Sequence, residues 1–347
     1  MQQSPSPQSY PPCFRPNHLS DQIHHNHVTE TNHQHEDPLP IIDLSRIDLP
    51  KLNDACTNWG IFRLINHGIP SNLLSELHEH TVRVFDLEFE SKRNLFASIP
   101  TSELSYFWGT AALTPAGDAL YKGSNREDDF KNHNWVEGLN VPLNRSEQVQ
   151  LHQHPLLHDF RIKIEEYGAH QTRIAKSIFD AMLQNLKLGE ADECCLSPST
   201  GLLRVYRYPR CFSDNPPKVW GLDVHTDSSL VTILNQDEVG GLQIHYEKDD
   251  VWIDAKPIPN TLVVHLGDMM QAISDDKYKS VKHRVRVHRD KERISIGYFV
   301  FPEDDYVIRS STYRPFTYSD FRTQVQYDIK TFGAKVGLSR FKLNEDL

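Results

Sequence analysis

From residue 202 onward the apolar positions fall into short runs: Leu202 to Tyr208, Leu230 to Leu234, Leu242 to His245, Thr261 to Leu266, Ser280 to Val287 and Ile294 to Val300. Gly240-Gly241 and Pro257-Ile-Pro259-Asn260 punctuate them. Closely spaced strands joined by such turns predict a sandwich or jelly-roll barrel. The first half has a different pattern. A strand at Leu39 to Leu44, a helix near residues 50–58 and a second strand at Ile61 to Ile65 are expected, with Asn66-His-Gly68 as a turn. Leu73, Leu77, Val84 and Leu87 then recur at helical spacing. So do Phe160, Ile164, Tyr167, Ile174, Ile178 and Met182, in a stretch ending at Gly189, and Phe321, Val325, Ile329 and Phe332 near the C-terminus. Each such helix has one apolar stripe to bury, and a sheet is the natural surface to bury it on. The fold class expected is therefore mainly β with flanking helices around a jelly-roll core.

The same pattern divides the chain. Residues 1–37 are rich in His, Pro and Ser and carry too little apolar surface to order themselves, so a disordered tail is expected. Its His24-His-Asn-His27 and His33-Gln-His35 tracts have no scaffold to fix a metal geometry. Residues 38–195 are expected to form a mixed α/β helical region packed on the barrel, 196–310 the barrel itself, and 311–347 a C-terminal helix and tail. No internal repeat is found.

Composition narrows the function. The 347 residues are 38% hydrophobic and 10% aromatic, enough for a substantial core. A net charge of −10 without any long Lys/Arg block argues against nucleic acid or an anionic membrane as partner and leaves a small-molecule substrate. The five cysteines form no Cys-x-x-Cys pair, so neither a disulfide framework nor a zinc ribbon is indicated and reduced thiols in the cytoplasm are expected. The N-terminal residues lack a basic and apolar leader pattern, and no run of about 18 apolar residues follows. A monomer is expected.

Chemistry enters through histidine spacing. With 19 histidines, His-x-Asp occurs three times by composition: His35-Glu-Asp37, His225-Thr-Asp227 and His288-Arg-Asp290. Period-two alternation separates them. If one strand runs through His225 to Ile233, then His225, Asp227, Ser229, Val231 and Ile233 share a face, opposite Thr226, Ser228, Leu230 and Thr232. In the segment Val281 to His288, the residues Val281, His283, Val285 and Val287 face inward and His288 faces solvent. Nothing around His35 has strand pattern. Two imidazoles and one carboxylate, at His225, Asp227 and His283, can hold one face of a metal and leave the other open, as expected of non-haem Fe(II) oxygenases. Ten residues past His283, Arg293 and Ser295 share a strand face and together suit a carboxylate, through a charged fork and a hydroxyl donor. A zinc hydrolase would use similar ligands but has no role for Arg293 and Ser295. His67 is taken as structural, and His265 as a hydrogen-bonded core residue, with contact to the groups around the metal pocket as the alternative.

These residues, in this order, resemble the plant 2-oxoglutarate- and Fe(II)-dependent dioxygenase family. The likeness runs from about Pro40 to about Phe332 and includes Trp59-Gly-Ile-Phe-Arg-Leu-Ile-Asn-His-Gly-Ile-Pro70. It implies a double-stranded β-helix, Fe(II) held by His225, Asp227 and His283, and the far carboxylate of 2-oxoglutarate bound by Arg293 and Ser295. Tyr208 matches the last Tyr of the family's Asn-Tyr-Tyr-Pro motif and is expected to help seat the co-substrate. Two departures stand out, Tyr206 in place of that Asn and His265 where relatives commonly carry Asn. The implied reaction uses O2 to convert 2-oxoglutarate to succinate and CO2 while a substrate C–H bond is oxidised, with ascorbate supporting activity. His225-Thr-Asp-Ser-Ser-Leu-Val-Thr-Ile-Leu234 and Gly241-Leu-Gln-Ile are most similar to the gibberellin oxidases. For such a rigid, apolar, carboxylated substrate, Tyr106, Phe107, Trp108 and Trp135 are candidate pocket walls, and Arg126 or Lys131 a candidate partner for the carboxylate. A flavonoid or alkaloid substrate, and a metal-binding barrel without turnover, are the alternatives.

Overall fold

A computed structural model describes residues 6–15, 37–100, 104–109, 134–143, 154–188, 196–211 and 220–343. The early chain alternates between β1 (Ile41–Asp43), α1 (Leu49–Asn58), β2 (Ile61–Ile65), α2 (Ser71–Phe85) and α3 (Phe89–Ala97). Then come β3 (Ser105–Trp108), β4 (Glu137–Pro142) and the long α4 (Pro155–Leu186). Strands dominate thereafter: β5 (Leu196–Tyr208), β6 (Trp220–His225), β7 (Val231–Gln236), β8 (Leu242–Tyr246), β9 (Val251–Asp254) and β10 (Leu262–Leu266). A short α5 (Asp268–Ile273) leads to β11 (His283–Arg286), β12 (Arg293–Pro302), the small pair β13 (Val307–Ile308) and β14 (Phe316–Thr317), and α6 (Tyr318–Phe332). Local chemistry sets several ends. The Asp48 side chain accepts from the Lys51 N–H to cap α1, and a Thr317/Asp320 capping box starts α6, which Gly333 ends in the left-handed region at φ 76°.

Eight strands form one sheet in the order β1-β2-β10-β7-β12-β5-β4-β3, and four form a second in the order β6-β11-β8-β9. Alternation along each strand of the large sheet sorts its side chains into two layers. Phe62, Leu64, Val231, Ile233, Val264, Ile296, Tyr298, Val205 and Leu139 pack outward against Leu77, Val84 and Phe85 of α2 and Ile164, Tyr167 and Ile178 of α4. Ile61, Leu234, Val263, Phe299, Tyr206 and Tyr208 point the other way and meet Leu242, Ile244 and Val285 of the small sheet. Each fully buried Leu, Ile or Phe contributes about 1.5–3 kcal/mol, so the two layers hold the sheets face to face as a jelly roll. Among the described residues no helix is long and apolar enough to cross a membrane.

Three sequence expectations differ from the structure. The strand expected through His225 to Ile233 is broken, because β6 ends at His225 and β7 starts only at Val231. The expected 280–287 strand shrinks to His283–Arg286, with irregular register against β6. Residues 6–15, expected within a disordered tail, pack on the molecule with Ser9, Tyr10 and Phe14 buried. Average composition hid two aromatic residues set between prolines that pre-form 3-10 turns at Pro7–Ser9 and Pro12–Phe14. The rest of that tail, 16–36, lies outside the described residues. The division placed at 195/196 falls inside one hydrogen-bonded sheet, since β4 pairs with β5 and β2 with β10.

The packed N-terminal segment covers a cluster of buried charges. Lys92 Nζ lies 2.8 Å from Glu137 Oε2 and donates to the Ser9 carbonyl at 2.7 Å. Arg207 donates to Glu137 Oε1 at 2.6 Å and to the Ser9 carbonyl at 3.1 Å, with its guanidinium 4.5 Å from the Tyr10 ring centroid. The Tyr106 hydroxyl donates to the same Glu137 carboxylate. Burial of Lys92 is the main cause that pulls its ammonium down to about 8, against the opposing pull of Glu137.

Candidate active site

His225 ends β6 directly opposite His283, the first residue of β11, and the two rings stand 4.2 Å apart. Each ring is oriented from behind: Nδ1 of His225 is 2.6 Å from the Asp223 carbonyl and Nδ1 of His283 is 3.1 Å from the Val281 carbonyl. With Nδ1–H donated to backbone, the lone pair sits on Nε2, as a metal ligand requires. Asp227 comes from the turn after β6, and its Oδ1 lies 3.7 Å from both Nε2 atoms. These three ligand atoms all fall within 4.8 Å of one another, so the donor set fits one metal ion.

The other carboxylate oxygen is occupied by protein. Thr232 Oγ1 donates to Asp227 Oδ2 at 2.6 Å, and His265 Nδ1 stands 3.2 Å from the same oxygen without a well-aligned hydrogen bond. The Asp227 carbonyl accepts the Asp268 N–H at 2.8 Å. Gly267 makes that approach possible, since a β-carbon there would run into the Ser229 carbonyl. Burial acts on all three groups. It would raise the Asp227 carboxyl, but His265, His283, His225 and the Thr232 hydroxyl hold it well below the usual carboxylate range. Burial brings His225 and His283 each down to about 4, helped by the neighbouring imidazole (His283 beside His225, His265 beside His283) and against the opposing pull of Asp227. At neutral pH the site is one carboxylate and two neutral imidazoles, the protonation state that binds a divalent metal. The His225 side chain is 30% exposed against 7% for His283, so the site opens on the His225 side.

The second cluster lies farther along the same inner face. Arg293 pairs with Tyr208 across β12 and β5, and its guanidinium stacks 4.8 Å from the Tyr208 ring centroid. It donates to Ser295 Oγ at 2.9 Å and to Gln236 Oε1 at 3.2 Å, while its buried Nε has no partner. Arg293 is only 1% exposed, its hydrogen-bond partners are neutral, and Asp237 is near enough to feel its charge but makes no direct ion pair with it, which leaves a place for an acidic ligand. Gly221 makes room for Tyr208, because a β-carbon there would meet its ring. Along β7, Thr232 touches the first cluster and Gln236 the second, about 13 Å apart at roughly 3.3 Å per residue.

His225, Asp227 and His283 thus come together in one cluster, and Tyr208, Arg293 and Ser295 in another. The other two His-x-Asp matches do not join them. Asp37 pairs with buried Arg63, while His288 is exposed and accepts the Asp290 and Lys291 N–H groups. His67 accepts the Ile69 N–H as a structural residue. His265, taken as structural, stands against the Asp227 carboxylate instead. Of the candidate pocket walls, Phe107 faces inward against Tyr206, with ring centroids 6.0 Å apart. Tyr106 turns outward to Glu137, and Trp135 donates to the Pro209 carbonyl beside Phe14. Arg126 and Lys131 lie outside the described residues.

Sequence reasoning missed Thr232, which it set on the opposite face by assuming an unbroken strand. It also missed Gln236, two and four residues beyond Leu234 and Thr232 on the same face, a signal that period two contains once β7 is placed correctly. Arg204, on the inner face of β5 with Tyr206 and Tyr208, was likewise missed.

Comparison with known proteins agrees with this geometry. Residues 199–302 match the family model of the 2OG-Fe(II) oxygenase superfamily, and residues 39–158 match that of the non-haem dioxygenase in morphine synthesis N-terminal region. The chain belongs to the 2OG-Fe(II) oxygenase superfamily, and it is an Fe(II)- and 2-oxoglutarate-dependent dioxygenase. Among its relatives, gibberellin 2-beta-dioxygenase 8 of Arabidopsis thaliana is 35% identical over 87% of this chain and 86% of its own. Gibberellin 3-beta-dioxygenase 2 of the same plant is 32% identical over 79% and 75%. The crystal structure of JOX2 in complex with 2OG, Fe, and JA superposes with a TM-score of 0.69 at 28% identity, covering 88% of this chain and 89% of that one.

Proposed function

We propose that His225, Asp227 and His283 hold Fe(II), that Arg293, Ser295 and Tyr208 seat the far carboxylate of 2-oxoglutarate, and that the substrate is a gibberellin-type carboxylated diterpenoid. The observation that carries the site assignment is the buried Arg293 guanidinium, held by Ser295 and Gln236 and stacked on Tyr208 without a direct ion pair to an acid among the described residues. When bound, Fe(II) supplies the activation of O2 that couples loss of CO2 from 2-oxoglutarate to oxidation of a C–H bond. The chain's own work is orientation and exclusion of water. Thr232 holds Asp227 Oδ2 so that Oδ1 faces the imidazoles, and Phe107, Tyr206, Leu234 and Phe299 keep the inner face apolar.

Two observations support an acidic substrate. The gibberellin dioxygenases are similar over most of their length. Arg204 also stands on the inner face, 4.8 Å from the Phe299 ring centroid and hydrogen-bonded to Tyr206, with no acidic partner among the described residues. An inward guanidinium held over aromatic rings suits a carboxylate on an apolar skeleton. A second reading, the same chemistry on another small organic acid, is favoured by the JA complex of JOX2. Free thiols at Cys13 and Cys56 fit the cytoplasmic compartment in both readings.

Mass spectrometry of protein loaded with Fe(II) and given 2-oxoglutarate, O2 and a panel of gibberellins, jasmonates and flavonoids tests the proposal. A gibberellin product gaining one oxygen, with matching succinate, is expected. Oxidation confined to another acid transfers the assignment to the second reading, and oxidation of neutral flavonoids alone removes Arg204 from the argument.

A further inference from the structure

Lys335 lies beyond α6 and outside both sheets, yet its ammonium reaches the turn that carries Asp227. Nζ donates to the Thr226 carbonyl at 2.8 Å and to Ser228 Oγ at 3.1 Å, the residues on either side of the acid. Its third neighbour is Asp268 Oδ2 at 2.6 Å. Two of the ammonium's three donors are thus hydrogen-bonded on either side of Asp227, and its charge is paired with Asp268 without an aligned hydrogen bond. Asp268 extends the junction in two directions. Its N–H donates to the Asp227 carbonyl at 2.8 Å, and its Oδ1 accepts from Ser280 Oγ at 2.8 Å, three residues before His283. The Lys335–Asp268 pair is 13% and 5% exposed, so water and salt screen it little. The ammonium also stands 5.6 Å from the ring centroid of Phe321, a fully buried residue of α6, which ties its position to the docking of that helix.

We propose that Lys335 is a positioning residue for the metal site. It fixes the 226–228 turn so that Asp227 Oδ1 stays aimed between the two imidazoles, and through Asp268 and Ser280 it steadies the approach to His283. Metal affinity thereby depends on how the C-terminal segment docks. The inference rests on the assignment of His225, Asp227 and His283 as ligands.

The test is titration of the full chain with Co(II), following the d–d absorption that reports its coordination, alongside thermal melting of metal-free protein. Asp227→Ala sets the background from the chain's other histidines. Lys335→Met is expected to weaken Co(II) binding about tenfold or more, within the range seen when an outer partner of a ligand is lost, and to alter the d–d envelope. Lys335→Arg restores most of the affinity. A folded Lys335→Met protein with wild-type affinity and absorption overturns the proposal. Should that variant not fold, Lys335→Gln, which keeps a donor, serves instead, with an intermediate loss expected and wild-type binding again overturning it. If Asp227→Ala itself binds like wild type, the ligand assignment falls and takes this inference with it. If Asp227→Ala loses binding while Lys335→Met keeps it, only the role of Lys335 falls.

Discussion

Replacing Arg293 by Ala removes a buried fork of donors while leaving the proposed metal ligands untouched. Binding of 2-oxoglutarate is expected to weaken by on the order of 2–3 kcal/mol, the worth of hydrogen bonds to a charged group, with little change in metal affinity. Isothermal titration of the co-substrate into metal-loaded wild type and variant checks this, and equal losses for metal and co-substrate would remove Arg293 from the co-substrate site. The histidines make a second prediction, for metal-free protein. His225 and His283 titrate near 4 when folded and at 6.5 when unfolded. Between those values the unfolded chain takes up protons that the folded chain refuses, so stability falls as the pH drops from about 6.5 towards 4. The loss from His283 alone is on the order of 3 kcal/mol. Urea denaturation of chelator-treated protein at pH 7 and pH 5 reads it, and a His283→Gln variant should show a flatter dependence.

At the scale of elements, the junction of β10 and α5 is the tightest point around the site. Gly267 packs against Ser229, so Gly267→Ala must push the turn that carries Asp227 away from α5. A loss of metal affinity larger than the loss of thermal stability is expected, measured by Co(II) titration and calorimetry on one preparation. This region also shows what a sequence makes legible. The strands β2, β7, β8, β10 and β12 announce themselves because each is a short, largely apolar run buried on both faces, and α4 because its stripe repeats through 32 residues. The triad was legible because His225 and Asp227 are two apart and His283 opens a run with a clean inward face. Thr232 was not, because a turn between β6 and β7 reverses the face assignment and nothing local marks it. Lys335 had no signal at all, since its relation to Thr226 exists only after α6 has docked.

Across the whole molecule, the N-terminal segment, α3, β3, β4 and β5 meet at Glu137, which holds Lys92, Arg207 and Tyr106 away from water. Glu137→Gln would leave buried Lys92 without its ion-pair partner and Arg207 with only the more distant Asp86 and Glu292, at a cost of about 3–5 kcal/mol, measurable as a shifted urea midpoint. A change below 1 kcal/mol would mean that solvent reaches the cluster. The sheet order has a consequence for the chain while it is being made. Ile61 to Leu64 pair with residues Leu262 to His265, and β5 pairs with β12, so the early strands must wait for partners some 90 to 200 residues downstream. A ribosome that has released only the first half therefore displays apolar strands with open edges. Those edges are sites where nascent copies on a crowded polysome can pair with one another. The yield of soluble enzyme should thus track how fast translation passes the second half of the barrel and how much chaperone guards the first.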